Sequence, residues 1–429
     1  MKRNMLTALS LVTLLSSGLA PAWAAFGPIT QISLGLAGAQ PNSDSSSPVV
    51  NADGSAIAFI SSADNLVDND TNSAADVFIV DRHEGTTTRI VGPDGEFSAD
   101  SEAPAISDDG RLVAFVNDGQ LKVFNRDFGV VQDIVDLVNE PYAFSGNGRF
   151  LAIAAEDEQE LAADDQNGVT DVYIYDRLTQ HFDRVSRPVA GGEADARSVS
   201  PAITPDGRYV AFVSSATNLV AQDDGRDTVF VFDRIDRKME AISGFGASEG
   251  SLLDATIPPA ISSDGRFVSY LGQDNTGTAG VYVRDRTQQT TMKLGISGPS
   301  TPPDISTNSG VTMSGDARRV VFGLLGVFFE DVYLFDLNSA TTIVVSAAVG
   351  GGAADGDSVG ARISSNGRAV VFASDAQNVV SSGPDGFTMN VFLATPTAPV
   401  CQPGDVNGDG VVDAADIPAL IQLIFGSGA

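Results

Sequence analysis

Short runs of apolar residues, separated by polar turns, recur along most of the chain. A representative run is Arg208-Tyr-Val-Ala-Phe-Val213, which follows the turn Thr204-Pro-Asp-Gly207. Runs of roughly four to eight β-branched and aromatic residues, bounded by Gly, Pro, Asn and Asp, are typical of strands. Ser or Thr at the first position of such a turn and Gly at the last favour a tight reversal. Each repeat is therefore predicted to open with a β-hairpin.

The same turn is found seven times, with between 38 and 59 residues from one copy to the next. Self-similarity at such a spacing indicates repeated supersecondary units that stack on one another. The last two residues of the turns are Asp53-Gly54, Asp109-Gly110, Asn147-Gly148, Asp206-Gly207, Asp264-Gly265, Asp316-Ala317 and Asn366-Gly367.

A second motif closes each repeat. Its best copies are 76–82, 171–177, 228–234 and 280–286, of which the first reads Asp-Val-Phe-Ile-Val-Asp-Arg, and weaker copies span 121–127, 331–337 and 390–396. Near-continuous apolar runs of this kind suit strands buried on both faces. A polar turn and a short outer strand follow, for example at 87–91. Four antiparallel strands in each of seven repeats predict an all-β fold, a seven-bladed β-propeller over residues 28–396.

The seventh repeat lacks an outer strand of its own, because 390–394 runs directly into a Pro-rich segment. Residues 29–34 (Ile-Thr-Gln-Ile-Ser-Leu) look like an outer strand without a repeat. We expect this segment to complete the seventh blade, which would leave no open sheet edge. The alternative is an unpaired leader strand.

The pattern Ser-x-Asp-Gly-Arg-x-Val-Ala-Phe, followed by Val-Phe/Tyr-x-x-Asp-Arg, resembles the bacterial WD40-like (PD40) repeats of TolB-type propellers. The Trp-Asp and Gly-His pairs of true WD40 repeats are absent after residue 24. The resemblance implies a scaffold that binds protein or carbohydrate partners. In that family some propellers accompany a peptidase or hydrolase domain, and no stretch of this chain is long enough for one.

Composition narrows the function. The chain has 55 Asp and Glu against 25 Lys and Arg, a net charge of −30. Such a surface repels nucleic acid and anionic membranes, so neither is expected as a partner. His83, His181 and Cys401 are the only histidines and cysteine. This scarcity argues against most zinc sites and most Ser/His/Asp or Cys/His catalysis, and one cysteine cannot form a disulfide within the chain.

Residues 1–24 have the pattern of a secretory signal peptide. Lys2 and Arg3 precede the apolar stretch 5–19, and Ala22-Trp-Ala24 is a small-x-small cleavage site. A transmembrane anchor is the alternative, but the stretch is shorter than the ~20 residues that span a bilayer. No second apolar span is present, so we expect an exported protein without a membrane span, either extracellular, at the cell surface, or periplasmic.

The most specific chemical signal lies in residues 404–429. Asp and Asn alternate as in a twelve-residue calcium loop, with Gly410 at the sharp turn. Alternating carboxylate and amide oxygens on a curled loop supply the hard ligands that Ca²⁺ prefers. The alternative is an acidic tail rich in Asx turns. The predicted Ca²⁺ ligands are Asp405, Asn407, Asp409, the carbonyl of Val411, Asp413 and Asp416.

After this loop, apolar residues recur at helical spacing, at Ile417, Leu420, Ile421 and Ile424. A calcium loop with an Asp at its last position and a following helix resembles a type I dockerin repeat, here joined to the propeller by the linker 397–403. The resemblance implies calcium binding and a cohesin-like partner. Dockerins normally carry two repeats, and this chain has room for one.

Two further segments leave alternatives open. Acidic loops at 68–76 and 164–171 are candidates for weak calcium sites, although hydrogen-bonded turns are the favoured interpretation. The apolar segment 323–329 is expected to be buried strand and loop, with an exposed docking patch as the alternative.

The sequence favours a non-catalytic binding or scaffold protein for a protein or polysaccharide partner. The alternative from another class is a carboxylate-based glycoside hydrolase or lyase in polysaccharide degradation, which needs two carboxylates about 5–10 Å apart in a central pocket. A calcium-stabilised structural surface protein without a specific ligand is a third possibility.

Overall fold

The computed structural model describes residues 27–136, 138–156, 161–162, 165–221, 225–244, 251–274, 276–296, 304–326, 328–381 and 388–395. In this part of the chain, strands β1 to β29 form seven separate antiparallel sheets, and the helical content is a single 3₁₀ turn, Leu36–Gly38. The predicted all-β, seven-bladed propeller is confirmed. No helix in these described ranges is both long and apolar enough to cross a membrane.

Each blade is described from its innermost to its outermost strand. Blade one contains β2 (Ser45–Val50), β3 (Ala56–Ser61), β4 (Asp76–Asp81) and β5 (Thr86–Arg89); blade two β6 (Ser101–Ile106), β7 (Leu112–Asn117), β8 (Gln120–Asn125) and β9 (Val130–Asp136); blade three β10 (Val138–Phe144), β11 (Phe150–Ala155), β12 (Asp171–Asp176) and β13 (His181–Arg184); and blade four β14 (Ser198–Ile203), β15 (Tyr209–Ser214), β16 (Thr228–Asp233) and β17 (Lys238–Ala241).

The remaining blades follow the same order, except that the inner strand of blade five is divided. Blade five contains β18 (Ser251–Leu252) and β19 (Ala260–Ile261), which both pair with β20 (Phe267–Gln273), then β21 (Ala279–Asp285) and β22 (Thr290–Lys293); blade six β23 (Asp304–Met313), β24 (Arg319–Leu325), β25 (Glu330–Asp336) and β26 (Thr341–Val344); and blade seven β27 (Ser358–Ile363), β28 (Val370–Ser374), β29 (Asn390–Ala394) and β1 (Thr30–Gln31).

The amino-terminal strand joins the last blade. Thr30 of β1 pairs with Leu393 and Gln31 with Phe392. The side chain of Asn390 reinforces the junction, because its Oδ1 accepts hydrogen bonds from Gln31 Nε2 at 2.9 Å and from Ser33 Oγ at 3.1 Å. The first and last parts of the propeller are thereby tied together, and blade seven has its fourth strand.

The core lies between neighbouring blades, which explains why no blade is stable alone. One apolar cluster combines Ile79 of blade one with Phe115 of blade two, and another combines Phe59 of blade one with Val371 of blade seven. Within blades, aromatic rings stack between the second and third strands. The ring centroids of Phe59 and Phe78 lie 5.9 Å apart, and equivalent pairs are Phe212–Phe230, Tyr270–Tyr282, Phe322–Tyr333 and Phe372–Phe392.

The repeated turn has two structural reasons for its glycine. Gly207 has a φ of +72°, a region that a side chain disfavours. A Cβ at Gly207 would also lie 2.4 Å from Cδ2 of Phe150 in blade three. Thr204 completes the turn, since its hydroxyl donates to Asp206 at 2.6 Å and accepts from the backbone amide of Tyr209 at 3.0 Å. The turn therefore reverses the chain and packs one blade on the next.

The two sequence motifs bind each other within a blade. In blade four, Arg208 of the first motif pairs with Asp233 of the second at 2.7 Å, and Arg234 donates to the carbonyl of Gly207 at 2.7 Å. The guanidinium of Arg234 also stacks on the Phe150 ring of blade three, 4.2 Å from its centroid. These arginines thus pair with neighbouring turns of the repeat. Arg82, Arg126, Arg177 and Arg286 make the same contact with turn glycine carbonyls.

The innermost strands carry a β-bulge that sequence analysis overlooked. In blades one, two and four, the bulged residues Ser47, Ala103 and Ser200 have φ values of 50°, 47° and 55° and precede a proline. Glycines 310 and 360 take this conformation in blades six and seven. Proline is tolerated here because the strand is the inner edge of its sheet. The bulge turns the end of each inner strand relative to its start.

Candidate functional site

The strongest sequence prediction lies outside the described residues. Asp405, Asn407, Asp409, Val411, Asp413 and Asp416, the predicted calcium ligands, all fall in 396–429, and the signal segment 1–24 is likewise outside. Calcium binding by this loop and export of the chain stay predictions.

The acidic loop at 68–76 is organised around an arginine. Arg89 of β5 reaches into it, and its Nη1 lies 2.6 Å from Asp70 Oδ1 and 3.3 Å from Asp76 Oδ2, while its Nη2 contacts Glu96. Asn72 donates to Asp76 at 2.9 Å and accepts from the amide of Ala74 at 3.1 Å. The favoured interpretation of hydrogen-bonded turns is confirmed, and a guanidinium stands where the alternative placed calcium.

The acidic loop of blade three repeats this arrangement. Arg184 of β13 is 2% exposed, and its Nη1 lies 2.7 Å from Asp165 Oδ1 and 3.4 Å from Asp171 Oδ2. Asn167 donates to Asp171 at 2.8 Å, and the hydroxyl of Tyr173 donates to Asp165. Asp164, the first residue of the predicted segment, lies outside the described residues. Both loops thus use a buried arginine to hold two aspartates.

Burial shifts the titration of these aspartates. Desolvation raises the pKa of Asp76 to about 6, against the opposing effects of Asn72 and Arg89. It also raises the pKa of Asp171, opposed by Ser186, Asn167 and Arg184. In the described ranges, no three His, Cys, Asp or Glu side chains are grouped so that they could hold a metal ion. The two networks are structural ion pairs that connect the outer strands to the loops.

A cavity of about 320 Å³ lies where the innermost strands of the seven blades meet. Its walls are mainly apolar, and they include Pro104, Pro201 and Pro259 from three different blades. Among the described residues that line it there is no Asp, Glu, His or Cys. The carboxylate pair that a glycosidase mechanism requires is therefore absent from the lining of this cavity.

One arginine breaks the apolar character of the lining. In blades one to six, one residue of the inner strand pairs with the third residue of the second strand, as Val49 pairs with Ala58. The equivalent residue of blade seven is Arg362, which pairs with Val371, the second residue of β28, because that strand begins one residue later in its repeat. In order from blade one, the residues at this ring position are Val49, Ala105, Ala143, Ala202, Ala260, Thr312 and Arg362. A charged side chain thus stands in a ring of small and uncharged ones.

Among the described residues, Arg362 is bound only by backbone groups. Its Nη1 donates to the carbonyl of Ala361 at 2.9 Å and to that of Ser309, in blade six, at 3.4 Å. Desolvation lowers the pKa of Arg362, although an arginine remains protonated at neutral pH. Next to it in the ring, the buried hydroxyl of Thr312 has no hydrogen-bond partner among the described residues.

Blade six also exposes an apolar edge. Leu324 is fully buried, as expected for the segment 323–329, but Phe328 is 85% exposed and Leu325 and Phe329 are about 40% exposed. The prediction of a wholly buried segment is therefore wrong at its end, because β24 ends at Leu325 and the following turn leaves the core.

His83 and His181 are both exposed, and His181 begins strand β13.

Comparison with known proteins supports the fold. No family model and no curated protein matches the sequence. Among solved structures, oligogalacturonate lyase from Vibrio parahaemolyticus matches with a TM-score of 0.56 and 13% identity, covering 87% of this chain and 98% of that one. The propeller domain of the trilobed protease from Pyrococcus furiosus matches with a TM-score of 0.54 and 13% identity, over 82% and 95%.

TolB from Acinetobacter baumannii is also among the similar structures, with a TM-score of 0.43 and 13% identity over 70% of this chain and 62% of TolB. At 13% identity, the likeness to the oligogalacturonate lyase and to the protease propeller domain shows a common β-propeller architecture. Function must be argued from this chain's own residues.

Proposed function

We propose that the chain is an exported, non-catalytic β-propeller that binds a protein or polysaccharide partner, and that residues 404–429 form a calcium-dependent attachment module. The observation that carries the non-catalytic part is the lining of the central cavity. Its described lining contains prolines, aliphatic side chains, the aromatic residues Tyr142 and Phe144 and one arginine, and no carboxylate or imidazole that could transfer a proton.

Several buried acidic groups are already engaged in the fold. Asp70 and Asp76 pair with Arg89, Asp165 and Asp171 with Arg184, and the aspartates of the repeat motif pair with the arginines of the turns. This supports a rigid scaffold that presents its surface, because a ring closed by a shared blade keeps its faces in a fixed geometry.

Export is supported by the basic and apolar pattern of residues 1–24, and the attachment role by the spacing of acidic residues in the tail. Ca²⁺ would be held by the side chains of Asp405, Asn407, Asp409, Asp413 and Asp416 and by the carbonyl of Val411. Extracellular Ca²⁺ is abundant enough for loops of modest affinity, which suits a module that works outside the cell. A cohesin-like protein is one partner class for this tail.

The experiment compares three forms of the full-length chain: wild type, Asp405→Ala with Asp409→Ala, and Glu84→Ala with Asp94→Ala. The last is a matched control, since it removes the same charge from exposed positions of the propeller. Isothermal titration should show Ca²⁺ binding to the wild type and the control, and at least a tenfold loss in the tail variant. Equal binding by all three forms would refute the calcium assignment.

Each form is then immobilised and incubated with envelope and secreted fractions of the source organism, with Ca²⁺ or with a chelator. A partner retained only with Ca²⁺ and an intact loop would support the attachment role. Partners retained by every form under both conditions would assign binding to the propeller. Turnover of a polysaccharide by the purified chain would refute the non-catalytic proposal.

A further inference from the structure

We propose that the central cavity is a binding site for a small organic carboxylate, with Arg362 as the anion-binding residue and Thr312 as a second hydrogen-bond donor. This site is independent of the partner and the calcium tail proposed above. It concerns the inside of the ring, whereas those concern its surface and the carboxy terminus.

The first argument is the unbalanced charge of Arg362. Within the described chain, no carboxylate oxygen forms an ion pair with it, although the protein has 55 acidic residues. By contrast, Arg89 and Arg184 are each held by two or more carboxylates. Arg362 is half-buried, and a guanidinium that loses part of its hydration without gaining a counter-ion is unfavourable, so a fold under no functional demand would place an uncharged residue here.

The second argument is the direction of the free donors. Nη1 is occupied by the carbonyls of Ala361 and Ser309, whereas Nε and Nη2 donate to no described residue. A guanidinium fixed at one nitrogen is oriented for the paired hydrogen bonds that a planar carboxylate accepts. The unsatisfied hydroxyl of Thr312, which lines the same cavity, is a further donor or acceptor for such a ligand.

The third argument concerns the rest of the ligand. The cavity volume of about 320 Å³ is near the lower limit of typical small-molecule pockets. Its walls are formed by proline rings, by aliphatic side chains such as Val49 and Ile106, and by the aromatic residues Tyr142 and Phe144. These surfaces favour an apolar or ring-bearing body attached to the carboxylate. They supply too few hydrogen-bond donors to replace the water shell of an inorganic anion.

The test uses the full-length chain and benzoate as the probe, with its neutral isostere benzamide, acetate and inorganic phosphate for comparison. We expect saturable one-to-one binding of benzoate by isothermal titration and saturation-transfer NMR. Binding of benzamide, acetate and phosphate should be at least about ten-fold weaker, because charge-assisted hydrogen bonds and apolar contact act together.

Arg362→Met should weaken benzoate binding by at least about ten-fold while the midpoint of thermal unfolding stays equal or rises, because a half-buried charge without a counter-ion is removed. Arg368→Met is the matched control, since Arg368 is an exposed arginine of the same blade outside the cavity. It should bind benzoate as the wild type does. Thr312→Val should weaken binding several-fold without lowering the midpoint, since its hydroxyl bonds to nothing described in the fold.

Three results would overturn the proposal. One is the absence of saturable benzoate binding at millimolar concentration. Another is wild-type affinity in both Arg362→Met and Thr312→Val. The last is phosphate binding that is tighter than benzoate binding and lost in Arg362→Met, which would make the site one for inorganic anions. If Arg362→Met lowers the unfolding midpoint by many degrees, the arginine is structural, and Thr312→Val then decides whether the cavity binds carboxylates.

Discussion

The blade-one loop offers a direct test of how buried charge affects the stability of this propeller. Asp76 is 1% exposed and shares Arg89 with Asp70 and Glu96, so three carboxylates divide one guanidinium charge. Desolvation raises the pKa of Asp76 from 3.8 to about 6. The change to make is Asp76→Asn, which keeps the size of the side chain and removes its negative charge.

The direction of the pKa shift of Asp76 determines how its contribution to stability changes with pH. The folded protein holds the Asp76 proton more tightly than the unfolded chain does, so the stabilisation from this group is complete below pH 3.8 and is lost as the pH rises through about 6. At about 1.4 kcal/mol per pH unit, the full shift corresponds to about 3 kcal/mol. Because Arg89 retains two carboxylates in the variant, we expect Asp76→Asn to gain about 1–3 kcal/mol relative to wild type between about pH 4.5 and pH 8.

The assay is urea unfolding, followed by far-ultraviolet circular dichroism, at about pH 4.5, 6 and 8. The quantity of interest is the difference in free energy of unfolding between variant and wild type, because titrating groups that do not interact with Asp76 cancel in it. Asp53→Asn is the control. The hydroxyl of Ser55 is the main cause that lowers the pKa of Asp53, so its stabilisation is fully present above its ordinary pKa. Its difference from wild type should therefore be flat over the same pH range.

A difference between Asp76→Asn and wild type that is equally flat would refute this account. A variant whose free energy of unfolding falls relative to wild type as the pH rises would also refute it. That result would mean that ionised Asp76 stabilises the fold through Arg89 more than burial destabilises it.

Two further predictions each compare a substitution with a matched control. Arg184→Met should lower the free energy of unfolding by about 3–5 kcal/mol at neutral pH, since it leaves two buried aspartates without their cation. The exposed substitution Arg368→Met should change the free energy of unfolding by less than about 0.5 kcal/mol, and equal effects of the two substitutions would contradict the buried network. Gly207→Ala should lower the free energy of unfolding by about 2–4 kcal/mol, since it combines an unfavourable φ with a clash against Phe150. Gly85 has a similar φ of +66° but nothing within 4 Å of an added Cβ, so Gly85→Ala should lower the free energy of unfolding by about 1–2 kcal/mol. Equal costs for the two glycines, measured by urea unfolding, would show that the contact between blades adds nothing.

The repeat architecture was predictable because its signals are local. A Ser-x-Asp-Gly turn specifies a tight reversal within four residues, and the apolar runs beside it specify strands through their own composition. Even the degenerate copy keeps the geometry: Ala317 replaces glycine in blade six and still has a φ of 57°. Seven such units and one leftover amino-terminal strand were enough to predict the propeller.

The sequence contains the two buried arginines, Arg89 and Arg184, but it does not show which residues they pair with. Arg89 follows the acidic loop of blade one by 13 residues, and the equivalent Arg184 follows Asp171 by the same interval. Nothing in those intervals shows that the outer strand turns its arginine back over the loop. That contact depends on the register of β4 with β5 and of β12 with β13.

The central cavity could not be predicted from the sequence for a different reason. Prolines at 48, 104, 141, 201 and 259 mark the inner strands in the sequence, and aligning the repeats would have shown that Arg362 replaces a small residue. Whether that position faces solvent, a neighbouring blade or the cavity depends on the bulge or break in each inner strand and on closure of all seven blades. Turn chemistry and strand composition act within a few residues and can be deduced from the chain alone. The surroundings of Arg362 are formed by residues from all seven blades, and only the closed ring brings them together.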